Sequence, residues 1–199
     1  MYHYIELSCL ADEGVPAAFI LGKVMDSVHF SLVNLQKELG HNPVGVSFPE
    51  YRYVLNDEGK CVEAKIGSKL RLWSLEEAHL ANLNLKAQLR RLEDYVHQRQ
   101  NMLERTNLSF ASFQRVQVHS SAERLIRRRM KSLNQSLEQA QQAFEHFEEQ
   151  RTDLPYVNIH SHSSEQAFRL FIRKQTVQPS AQWQFSTYGL SASVGVPDS

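Results

Sequence analysis

Four arginines and a lysine fall within the eight positions 124–131 of the stretch SSAERLIRRRMKS, residues 120–132. On a helix, Arg124, Arg127, Arg128 and Lys131 share one face through their i, i+3, i+4 and i+7 spacing, and Arg129 lies off it. Like charges at such spacing destabilise a helix unless something opposes them. A polyanion would oppose them, and each phosphate it presents would release counterions on contact. A solvated face, or one seated in an acidic groove of a protein partner, accounts for the same charges. Just upstream, Arg115 and Gln117 flank Val116 and would share one face of a strand. Arginine pairs with guanine and glutamine with adenine at base edges, although two exposed strand residues would look the same. In the run HSHS, Ser161 and Ser163 alternate with His160 and His162. A His-x-His pair on a strand could ligate a metal, but no third ligand is evident, so neither metal nor cofactor is expected. Tyr188, beside Gly189, could pack in the core or line a site.

The residues that must position these groups belong to an ordinary globular composition. Hydrophobic residues make up 42% of the 199, enough for a substantial core. The 22 basic residues balance the 22 acidic ones, which excludes a chain that coats nucleic acid over its whole surface. The charge is instead segregated. Residues 124–131 carry five positive charges, whereas residues 138–153 set Glu138, Glu145, Glu148, Glu149 and Asp153 against Arg151 alone. No apolar run reads as the roughly 20 residues of a bilayer span. The start MYHYIELSCLADEG carries acids where an export signal would have basic residues and an apolar stretch. The expectation is a cytoplasmic protein with no membrane partner. Cys9 and Cys61 form neither a disulfide framework nor a CxxC pair and read as small buried or half-buried residues.

Along the chain, HYIELSCL alternates as a strand. Pro16 opens a helix whose stripe is Leu21, Val24, Val28, Leu32, Leu35 and Leu39, ended by Gly40. PVGVSFPEYRYVL reads as strand with a bend at Pro49, NDEGK as a turn, and KLRLW as the next strand. SLEEAHLANLNL begins with a serine cap and acids in its first turn, which marks a helix. Residues 85–104 are polar and helix-compatible, and SFQRVQV is strand-like. This order of strand, helix, strand, strand, helix and strand is the ferredoxin-like pattern. It gives an α+β fold with a ferredoxin-like domain over residues 1–108. A second α+β domain, 109–199, would carry the basic helix at about 121–149 and strands at YVNIHSHS, QAFRLFIRK and QWQFSTYGL, before an irregular tail. The strand near 110–118 fits either half.

Six segments occur together in order: HYIEL, VGVSFPE at 44–50, RVQ at 115–117, ERLIRRRM at 123–130, LPYVNIHSHSSEQAFRLFIR at 154–173 and YGLS at 188–191. The combination resembles the CRISPR-associated endoribonucleases of the I-F subtype, the Csy-type repeat-processing nucleases. That resemblance implies a ferredoxin-like N-terminal domain and a C-terminal domain with an arginine-rich helix. It implies metal-independent cleavage at the base of the CRISPR repeat stem-loop, giving a 2′,3′-cyclic phosphate and a 5′-hydroxyl. It also implies that the protein stays on the mature crRNA and joins the other subunits of a type I-F crRNA-guided surveillance complex.

Residue by residue, the resemblance places the catalytic histidine at His29, the active-site serine at Ser161 and a site-lining tyrosine at Tyr188. It assigns Ser163 to RNA contact, Phe168 to stacking at the base of the hairpin, and Arg115 and Gln117 to base edges low in the stem. Arg124, Arg127 and Arg128 become groove-binding residues, together with Lys131, which stands where arginine is usual and exchanges a bidentate fork for a point charge. Ser132 and Leu133 replace basic positions. The chemistry is coherent with these residue types: an imidazole titrates near neutrality and can take the proton of an attacking 2′-hydroxyl, and a serine hydroxyl can hold that nucleophile in place. A non-cleaving subunit that binds the same hairpin would keep the basic helix, Arg115, Gln117 and Phe168 with His29 unproductive.

Overall fold

In the computed structural model, residues 1–104, 106–118, 122–144, 151–161 and 165–198 are described, without the side chains of residues 122–124 and 128. Helices and antiparallel sheets alternate along the chain, an α+β architecture. The first sheet is built from β1 (Tyr2–Cys9), β2 (Gly45–Ser47), β5 (Lys69–Ser74) and β6 (Val96–Leu103) in the order β2-β5-β1-β6. A hairpin of β3 (Arg52–Leu55) and β4 (Cys61–Lys65) stands apart from it. The second sheet has the order β10-β7-β9-β8, from β7 (Phe110–Val116), β8 (Tyr156–Ser161), β9 (Gln166–Val177) and β10 (Val196–Pro197).

Helix α1 (Ala17–Leu39) organises the core. Ile20, Leu21, Val24, Met25, Val28, Leu32 and Leu35 are all buried, the three-and-four spacing expected of an amphipathic helix. They share one apolar cluster with Ile5 and Leu7 of β1, Leu70 and Leu72 of β5, and Val157, Ile159, Leu170 and Ile172 of the second sheet. Gly40 stops the helix in the left-handed conformation (φ 78°), its N–H donating to the Gln36 carbonyl. Leu39, expected in the stripe, is exposed. By length and composition alone α1 could cross a membrane, contrary to the sequence expectation, but 56% of its most apolar window is buried inside the fold. Gly22 sits where α1 crosses β8, and a Cβ there would run into the Asn158 carbonyl oxygen.

Several elements depart from the sequence expectation. Residues 85–104 hold only α3 (Leu85–Gln88) and a 3-10 turn (Arg90–Leu92), and then the strand β6. β6 is polar and mostly exposed, so its sequence lacks strand alternation; pairing with β1 at eight successive positions makes it a strand. It is the fourth strand of the first sheet, the place that SFQRVQV was expected to take, while that segment (β7) pairs with β9. The expected helix from Ser74 shrinks to α2 (Glu77–Ala81), preceded by Glu76 without a side-chain cap. The segment QWQFSTYGL is not a strand: it makes a single bridge, Asn42 to Phe185, and then turns at Gly189 (φ 69°). The tail contributes β10, paired with β7.

The chain divides into two compact units, one of residues 1–116 with 154–199 and one of residues 117–153. In the second, the basic segment forms α4 (Ala122–Leu133), followed by α5 (Leu137–Gln142). The sequence reading ran a single helix to about 149. The structure breaks it at Asn134, whose φ of 50° is left-handed. Ser136 then starts α5 with a capping box, its Oγ accepting from the Gln139 N–H and the Gln139 side chain accepting from the Ser136 N–H. Arg129, off the basic face by spacing, donates its Nε–H to Gln135 Oε1 at 2.9 Å. Cys9 is buried and Cys61 partly so. Burial, with the Glu50 charge adding to it, pushes the Cys9 thiol up to about 12, so it is an inert core residue.

Candidate active site

His29 lies eight residues after the buried Leu21 on α1, beside Val28, and so flanks the apolar stripe. Its imidazole stacks on the ring of Tyr188, centroids 4.0 Å apart and planes 5° from parallel. The His29 Nδ1 stands 2.8 Å from the backbone carbonyl oxygen of Thr187. A carbonyl only accepts, so Nδ1 carries the proton in this contact. In the neutral ring that leaves Nε2 as a bare acceptor, the tautomer a general base needs.

The array continues into the second sheet. The Arg115 guanidinium, exposed at the end of β7, lies over the Tyr188 ring (5.8 Å to the centroid) and the Phe168 ring (5.4 Å). His29, Tyr188, Arg115 and Phe168 therefore form one connected stack drawn from α1, the C-terminal turn, β7 and β9. Burial raises the Tyr188 phenol above its ordinary value near 10; Arg115 opposes that shift and the Asp26 carboxylate adds to it. The phenol is thus protonated throughout the neutral range and available as a donor.

Ser161 ends β8 and is half-buried. The residue before it, His160, donates its backbone N–H to the Asp26 carboxylate at 3.1 Å, and Asp26 precedes His29 by three residues on α1. The close crossing at Gly22 and this bond hold β8 against α1. Gln117 follows β7 and is exposed, in the other compact unit. Arg127 and Lys131 are exposed on α4. Ser163, His162 and the side chains of Arg124 and Arg128 lie outside the described residues. Among the described residues, no three His, Cys, Asp or Glu side chains come together as a metal site.

Sequence reasoning missed the residue that holds the Tyr188 turn. Asn42 is 1% exposed. Its Nδ2 donates to the Ser186 carbonyl at 2.6 Å and to the Val44 carbonyl at 3.2 Å, and its Oδ1 accepts from the Val44 N–H. Its own carbonyl accepts from the Phe185 N–H, and Val46 N–H donates to the Gly189 carbonyl. The turn carrying Thr187 and Tyr188 is therefore latched to the start of β2. The only signal was an Asn before Pro43, which reads as a turn. Asn42→Ala leaves buried backbone groups unsatisfied at about 1–3 kcal/mol each. We expect it to loosen the contact between the His29 imidazole and the Thr187 carbonyl, read as a shifted His29 ring resonance with the overall fold kept; an unchanged resonance would show that the latch does not position the ring pair.

Residues 4–198 match the model of the family described as CRISPR-associated protein (Cas_Csy4). Two curated relatives align over 198 residues, covering 99% of this chain and of each relative. Both carry the name CRISPR-associated endonuclease Cas6/Csy4. One, from Escherichia coli (strain UTI89 / UPEC), is 32% identical. The other, from Pseudomonas aeruginosa (strain UCBPP-PA14), is 30% identical.

Proposed function

The chain belongs to the Cas_Csy4 family of CRISPR-associated proteins, and from that premise we propose that it is a metal-independent endoribonuclease that cuts CRISPR repeat RNA at the base of its stem-loop. The observation that carries this reading is the ring pair: an imidazole stacked on Tyr188 with its Nδ1–H given to the Thr187 carbonyl. The 2′-hydroxyl next to the scissile phosphate attacks phosphorus as His29 Nε2 takes its proton. The P–O5′ bond breaks, leaving a 2′,3′-cyclic phosphate on one product and a 5′-hydroxyl, once protonated, on the other. Ser161 orients the attacking hydroxyl, and Tyr188 fixes the imidazole plane. No step calls for a metal ion.

Hairpin recognition falls to the remaining residues. Phe168 stacks at the base of the stem, with Arg115 holding its place over both rings. Arg115 and Gln117 read base edges low in the stem beside it. Arg124, Arg127, Arg128 and Lys131 track phosphates from α4, and Ser163 adds a contact near the cut. An A-form major groove is normally too deep and narrow to enter, but a short hairpin lets it open near an end or loop. The strand order β2-β5-β1-β6, with α1 and the α2–α3 segment as crossovers, supports a ferredoxin-like reading of residues 1–108. Residues 109–199 would form the hairpin-binding part. Retention on mature crRNA, assembly with type I-F surveillance subunits and a cytoplasmic location belong to the same reading.

The test is cleavage of the cognate repeat RNA in EDTA. The expected result is one cut at the foot of the hairpin, with a cyclic phosphate identified by mass. Tight binding without a cut would mean a crRNA-holding subunit instead, and no hairpin binding at all would mean that α4 serves a protein partner.

A further inference from the structure

β8 is an edge strand of the second sheet, so the backbone groups on its outer side meet no further strand. Helix α1 lies against that edge instead. Two successive outward positions meet it. The Asn158 carbonyl oxygen occupies the place that a Cβ on Gly22 would take. Two residues on, the His160 N–H donates to the Asp26 carboxylate, 3.1 Å from Oδ1 and 3.4 Å from Oδ2. Alternate residues of a strand point their N–H and C=O groups to the same side. Gly22 and Asp26, four apart on the helix, likewise share one face. The two spacings match: roughly 6 Å of rise along the helix against roughly 6–7 Å along the strand.

Asp26 therefore does for β8 what a neighbouring strand would do, with a carboxylate in place of a backbone carbonyl. An ionised acceptor makes a hydrogen bond roughly twice as strong as a neutral one. The residue after the gripped N–H is Ser161, the last of β8. Asp26 is half-buried, and its charge acts on the Tyr188 phenol. An acid so placed repels an incoming phosphodiester, and its bond to β8 offsets that cost. We propose that Asp26 is a positioning residue: by gripping the His160 N–H it fixes the end of β8 on α1 and so sets where Ser161 holds the attacking 2′-hydroxyl. The inference rests on the nuclease reading above, in which Ser161 orients the nucleophile.

The experiment measures single-turnover cleavage and hairpin affinity on repeat RNA. It uses the wild-type chain, Asp26→Ala, Asp26→Asn, Ser161→Ala and the double variant Asp26→Ala, Ser161→Ala. Asp26→Ala is expected to slow cleavage by about 10- to 100-fold, the cost of a nucleophile held out of place, with hairpin affinity kept. Asp26→Asn keeps an acceptor oxygen for the His160 N–H and is expected to cut within a few-fold of wild type. In the double variant the loss of Asp26 should add nothing to the loss of Ser161, because the group it positions is gone. Multiplied effects in the double variant overturn the inference. So does a wild-type rate for Asp26→Ala, or an affinity loss as large as its rate loss. Asp26→Asn as slow as Asp26→Ala also overturns it, since charge and not the hydrogen bond would then matter. A wild-type chain that binds the hairpin without cutting it overturns the nuclease reading, and this inference with it.

Discussion

His29→Ala is expected to slow cleavage of the repeat RNA by about 10²–10⁴-fold, the range that a positioned acid–base group supplies. Hairpin affinity should hold, because the imidazole faces Tyr188 and Thr187 and belongs to neither the arginine helix nor the Phe168 end of the stack. Single-turnover kinetics alongside equilibrium binding separates the two effects. The pH profile adds a second readout. It should show no falling limb from Tyr188 before alkaline pH, since burial holds that phenol above its usual range. A variant that still cuts within a few-fold of wild type would remove His29 from the reaction.

Gly22→Val is the second large effect, and it acts on the close crossing of α1 over β8. Glycine inside a helix costs roughly 0.5–1 kcal/mol relative to alanine, so its presence in mid-α1 needs a reason. The reason is the Asn158 carbonyl, which occupies the space a Cβ would take. A branched side chain there has backbone to push against and no soft neighbour to displace. Overpacking of this kind costs about 1–3 kcal/mol, and the upper end or beyond is expected here. The helix must also lift off β8, which stretches the bond from His160 N–H to Asp26. Urea unfolding should show an earlier midpoint, and the fraction that stays folded should cleave poorly. Wild-type stability and rate together would mean that α1 need not approach β8 so closely.

These two positions illustrate what could be read from the chain and what could not. The stripe of α1, the alternation of β8 and β9 and the clustered charge of α4 are local patterns, visible wherever spacing matches a period. The family motifs carried His29, Ser161 and Tyr188, but no pattern linked them. The contact between His29 and Thr187 spans 158 residues, and the latch from Asn42 to Ser186 spans 144. Such pairings depend on topology, which a single sequence does not display. β6 was illegible for another reason: an edge strand facing water on most positions has no hydrophobic alternation to read, and its partner β1 imposes its conformation. The break at Asn134 hid behind helix-friendly residues on both sides, because one left-handed residue leaves almost no trace in composition.

The helix α4 and Gln117 belong to the compact unit 117–153, whereas the ring stack, Asn42 and Gly22 all belong to the other. Under the reading proposed above, the groove-binding face of α4 and the groups that break the bond are written in different stretches of the gene, while Arg115 and Phe168 keep the foot of the hairpin with the catalytic unit. Substitutions can then accumulate in 117–153 as the repeat it serves diverges, without passing through a catalytically dead ancestor. Chimaeras that exchange this stretch together with Arg115 and Phe168 between relatives are the natural route to a nuclease with a new target.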